Sequence, residues 1–170
     1  SELTEPVILI ADRGYEAYNN IAHIEQKGWN YLIRVKEKQG ILSGLNLPDT
    51  PEFDACFSYS LSKRLTNRIR KELQKYRWLP NKVQFDYIRD ASDDLYLLSF
   101  RVVRFLVKED LYETVITNLP EARFPPSLLR MLYHKRWGIE TAFRDLKYTL
   151  ALTHFHARKR SFIMQEIFAK

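Results

Sequence analysis

Cysteine occurs once in the 170 residues, at Cys56. A single thiol excludes an internal disulfide framework and agrees with a reducing cytoplasm. No apolar run is long enough to span a bilayer and no secretory signal is visible, so no membrane partner is expected. The chain also lacks a phosphate loop, a glycine-rich dinucleotide fingerprint and a serine-nucleophile elbow. His154 and His156 flank Phe155, but no third ligand at a recognised spacing accompanies them, which argues against a zinc site.

What is present suits one globular, soluble domain, or one domain with a sizeable insertion. The charge balance is basic, 27 Lys and Arg against 21 Asp and Glu, for which a polyanionic partner is the natural expectation. Val7-Ile8-Leu9-Ile10-Ala11 is short and continuously apolar, the pattern of a fully buried strand, and it ends in Asp12-Arg13-Gly14-Tyr15. A helix is expected from about Tyr15 to Gln26, ended by Lys27-Gly28, and a second strand from Trp29 to Lys36. That strand-helix-strand order predicts two parallel strands joined by a right-handed crossover. Residues 39–51 are rich in Gly, Asn, Pro and Asp and read as a loop or boundary. Further strands are expected at Phe57 to Leu61, Val83 to Ile88, Leu95 to Leu106 and Tyr112 to Thr117, and Pro125-Pro126-Ser127 supplies a helix start.

Two segments carry candidate chemistry. Asp12, at the carboxyl end of a strand, lies where open α/β sheets gather ligands, although an acid there can also simply cap the next helix. From Tyr133 to Leu150 the spacing predicts a helix on which Tyr133, Arg136, Glu140 and Lys147 fall within an arc of roughly 60°. An apolar stripe of Leu132, Ile139, Ala142, Phe143, Leu146 and Leu150 runs beside that arc, so the helix can pack on a core while its polar edge faces a cleft. Such an edge is either a solvated face with weak ion pairs or an acid surrounded by phosphate partners. The most basic stretch, Lys63, Arg64, Arg68, Arg70, Lys71, Lys75 and Arg77 with Tyr76 and Trp78 interleaved, is likewise either an exposed, solubilising connector or a DNA-holding surface.

Tyr133, two residues, Arg136, three residues, Glu140, six residues, Lys147 resembles the Y-R-E-K signature of the insertion-sequence-four family of bacterial DDE transposases. Asp12-Arg13-Gly14-Tyr15 is similar to the D-R-G-(Y/F) run that holds that family's second catalytic aspartate, and Thr117-Asn118-Leu119 to the T-N-L strand before its glutamate helix. The resemblance implies an α/β fold, a partial ribonuclease-H-like catalytic core interrupted by a β-rich insertion. Residues 1–38 would open the core, 39–111 form the insertion, and 112–170 complete the core with the glutamate helix and a truncated C-terminal helix.

The same resemblance implies cut-and-paste transposition, with Asp12 and Glu140 as catalytic residues and ligands of Mg2+, for which Mn2+ could substitute. Tyr133, Arg136, Lys147, Arg13, Asn118 and Arg144 would contact DNA. Tyr112 is either a core or edge-strand tyrosine or an aromatic that stacks on a flipped base. The partners would be double-stranded transposon ends and target DNA, bound by a homodimer of the full-length protein at the bacterial nucleoid in the cytoplasm. One element of the pattern has no counterpart: the first catalytic aspartate, on a strand upstream of Asp12. Asp86, Asp93 and Asp94 lie in the insertion and are poor substitutes. A fragment of a longer transposase is therefore expected, inactive by itself, or alternatively a DNA-binding or transposase-inhibiting module.

Overall fold

A computed structural model describes residues 6–37, 39–90 and 92–136. The chain divides into two compact units, residues 1–131 and 132–170. The first is built on a six-stranded mixed sheet, an α/β architecture compatible with a partial ribonuclease-H-like core. Its strands are β1 (Ile8–Ala11), β2 (Asn30–Arg34), β3 (Phe53–Ser62), β4 (Tyr76–Trp78), β5 (Leu95–Lys108) and β6 (Leu111–Thr117), in the spatial order β1-β2-β6-β5-β3-β4.

β1 and β2 run parallel, as the strand-helix-strand reading requires, and helix α1 (Tyr18–Gln26) lies between them in sequence. The helix starts later than expected because Arg13–Tyr15 forms a 3-10 turn, closed by Tyr15 N–H donating to Asp12 C=O at 2.9 Å. Glu16 is then drawn away from the helix: its carboxylate accepts from the Lys36 and Ile41 amides at 3.1 and 3.0 Å. Ile21, Ala22 and Ile24 of α1 cover one sheet face, joining Tyr31, Ile33, Tyr59, Phe100, Val102 and Ile116 in a single core. Alternation puts Leu32, Val103, Phe105 and Val115 on the other face, and all four are buried. β5 and β6 form a hairpin whose turn places Asp110 at φ 55°, a left-handed conformation that a short polar side chain tolerates.

One expectation fails in the middle of the chain. Val83 to Ile88 is not a strand: Phe85 and Ile88 are the buried positions, a spacing of three rather than two. Its polar groups go to side chains instead of a ladder, with Lys63 Nζ donating to Val83 C=O at 2.6 Å and Asp86 held by Asn19 and His23. The basic connector also holds elements that the sequence did not signal. It contains α2 (Asn67–Lys71), N-capped by Thr66, and β4, which pairs in parallel with β3.

Helix α3 occupies residues 126–136 of those described, and Pro125 C=O accepts the Leu128 and Leu129 amides in its first turn. Leu129 is fully buried, and Arg130 donates to Val107 C=O at 3.2 Å. No helix among the described residues is long and apolar enough to cross a membrane.

Candidate active site

Asp12 follows β1 directly, with extended backbone (φ −83°, ψ 170°). Ala11 pairs with Ile33, so the next positions outward, Asp12 and Arg34, project on the same side of the sheet. Arg34 in turn pairs with Val115 of antiparallel β6, and Glu113, two residues earlier, shares that side. The three side chains meet there. Arg34 Nη1 stands 3.8 Å from Asp12 Oδ1 and 3.4 Å from Glu113 Oε1. Glu113 is 6% exposed and Arg34 24%, whereas Asp12 is 41% exposed. Within that half-open carboxylate, Oδ1 is buried and accepts no hydrogen bond.

Beside this cluster opens a cavity of about 470 Å³ whose lining includes Arg13, Arg34, Lys36, Tyr112 and Glu113. Arg13 and Lys36 are exposed and enter no ion pair among the described residues, so two cations remain available to an anion. Glu37, which also lines the cavity, is already committed: it accepts from Thr114 Oγ1 at 2.8 Å and pairs with Arg104 Nε at 3.1 Å. Arg104 also covers the Tyr112 ring, 5.0 Å from its centroid. Tyr112 is thus a half-buried residue near the start of interior strand β6 that reaches the cavity.

Other expected site residues are placed differently. The Asn118 amide accepts the Tyr31 N–H at 2.9 Å and donates to Trp29 C=O at 3.2 Å, tying the end of β6 to the start of β2. Tyr133 and Arg136 lie on α3, both buried, with the guanidinium 5.0 Å over the ring as their i, i+3 spacing permits. Glu140, Arg144 and Lys147 fall outside the described residues, as do His154 and His156.

The basic connector is partly internal. Lys63 is buried against Val83 C=O and Asp90, and Arg77 is buried over the Tyr59 ring at 4.6 Å. Arg64 grips Asp93 with both oxygens at 2.8 Å, and Arg68 and Lys75 flank Glu72.

Arg34 and Glu113 were not legible as site residues, because a pairing between strands 79 positions apart brings them together. Their signal was a charged residue in an otherwise apolar strand, YLIR and YETVIT. A hard divalent cation suits Asp12, whose buried Oδ1 offers an oxygen with no hydrogen bond to lose. Among the described residues no group of three or more His, Cys, Asp or Glu could hold a metal.

One family model, described as the transposase DDE domain, matches residues 1–170. No curated protein matches the chain.

Proposed function

Because the chain belongs to the transposase DDE domain family, whose members act on DNA with the help of divalent metal, we propose that Asp12 and Glu140 are its second and third catalytic acids. The observation that carries this reading is the buried Oδ1 of Asp12, without a hydrogen bond among the described residues, at the carboxyl end of a parallel strand pair and beside a cavity lined by Arg13 and Lys36, which enter no ion pair among those residues. Asp12 and Glu140 would hold Mg2+, or Mn2+ in its place, and a bound divalent pair supplies charge neutralisation and an activated water. Arg13 and Lys36 would grip phosphates without reading sequence. Tyr133, Arg136, Arg144 and Lys147, the Y-R-E-K helix of an insertion-sequence-four transposase, would hold the backbone near the scissile bond. Tyr112 and Asn118 complete the proposed DNA contacts, Tyr112 from the cavity wall and Asn118 through its fixed position at the end of β6.

The reaction is cut-and-paste transposition by a homodimer of the parent protein at the bacterial nucleoid: water cuts at the transposon end, and the freed 3′ hydroxyl then attacks a target phosphodiester. With two acids assigned, we propose that this chain alone binds DNA without cutting it and that the parent protein supplies the third. The alternative is an inactive DNA-binding or transposase-inhibiting module. Cleavage of transposon-end DNA by the parent protein separates them. Asp12→Asn and Glu140→Gln should each abolish Mg2+-dependent cleavage and leave DNA binding intact. Retained cleavage in either variant rejects the assignment, and a parent protein that binds but never cuts supports the alternative.

A further inference from the structure

We propose that Arg34 is a resident counter-ion of Asp12, held by Glu113, with whose charge a divalent cation must compete, so that metal loading is coupled to the arrival of a DNA phosphate. The inference rests on the reading of Asp12 as a metal ligand. Three observations carry it. A single nitrogen, Arg34 Nη1, serves both carboxylates, and its contact with Asp12 at 3.8 Å is too long for a hydrogen bond. That contact is electrostatic and yields easily. The contact with Glu113 is shorter and more buried, so Glu113 keeps the guanidinium in place when Asp12 takes another partner. Arg34 also lines the cavity shared with Arg13 and Lys36, where an incoming phosphate meets its charge.

The consequence is competition. A divalent cation on Asp12 Oδ1 is repelled by the guanidinium beside it, and a phosphate in the cavity relieves that repulsion. Without DNA the site holds metal weakly; with DNA it fills. Such coupling would keep a nuclease centre from charging before its substrate is seated.

The test is Mn2+-induced broadening of the Ala11, Asp12 and Arg13 amide signals of the 170-residue chain, titrated with and without a DNA duplex. Nuclear magnetic resonance reads weak binding at a named site and needs no catalysis. Arg34→Met should tighten Mn2+ binding without DNA on the order of tenfold and remove the gain that DNA gives the unmodified chain. Glu113→Gln should weaken Mn2+ binding severalfold, because the guanidinium then leans on Asp12 alone. Opposite shifts from two neighbouring substitutions cannot arise from misfolding.

Asp12→Asn should lose the broadening altogether. If it does and Arg34→Met binds no tighter than the unmodified chain, the counter-ion role is overturned while the Asp12 reading stands. If Asp12→Asn broadens like the unmodified chain, or if no protein shows site-specific broadening, the metal-ligand reading itself fails.

Discussion

Replacing Arg101 by Met removes the most heavily committed charge in the described chain. Arg101 lies on β5 with 6% of its side chain exposed, paired through two nitrogens with Asp54 of β3, itself only 14% exposed. Its Nη1 also donates to Leu119 C=O at 2.7 Å and to Phe124 C=O at 3.2 Å, clasping the turn that leads into α3. Methionine keeps much of the volume but leaves a largely buried carboxylate uncompensated, and removing one partner of such a pair costs about 3–5 kcal/mol. Urea unfolding of the chain, extrapolated linearly to water, measures the loss. The double substitution with Asp54→Asn should recover part of it, since the stranded charge is then gone. Hydrogen exchange should also quicken at the first turn of α3. A loss below about 1 kcal/mol, the range of an exposed ion pair, would refute the claim that this clasp organises the approach to the helix.

Two further outcomes follow from the geometry. Gly40 has φ +61°, and a Cβ there would collide with the Glu16 carboxylate that holds the Lys36 and Ile41 amides; Gly40→Ala should therefore cost more than the roughly 1 kcal/mol of the left-handed conformation alone, read by thermal denaturation. Hydrogen bonds from Asn19, and then from His23 and Gln84, hold the Asp86 carboxyl down to about 2. A depressed carboxyl contributes stability above its ordinary value, and that stability is lost as pH falls toward the folded value. Melting temperatures should thus fall between about pH 4 and 2, and Asp86→Asn should flatten that decline; an unchanged slope would contradict the role of the Asp86 clasp.

Local pattern revealed the elements that local pattern determines. β1 was readable as a strand, and Asp12 as the residue that ends it, but the fully buried strand expected there is the outermost of the described sheet, with Ala11 buried and Ile8, Leu9 and Ile10 only half-buried. Strands β5 and β6 followed from β-branched and aromatic stretches on either side of a polar turn, while their pairing as a hairpin came only with the fold. The 3-10 turn before α1 was hidden because the amides that capture Glu16 are 20 and 25 residues away. The segment after Pro80 looked like a strand from its apolar spacing, yet its partners are side chains of α1 and Lys63. The cluster around Arg34 was hidden for the same reason, since strand pairing creates it. Lys63 and Arg77 show the converse: in sequence they belong to a basic run, and in the fold they are buried against a carbonyl and a tyrosine ring.

That Asp12 and Glu140 share one metal centre is tested most directly by a crystal structure of the chain bound to a DNA duplex and soaked in Mn2+, with anomalous data collected. An anomalous peak bonded to Asp12 Oδ1 at about 2.0–2.2 Å is expected, with the Glu140 carboxylate on the same ion or on a second one about 3.5–4 Å away. A structure in which the two carboxylates point to different faces, or in which Mn2+ binds elsewhere and leaves Asp12 paired only with Arg34, would contradict it.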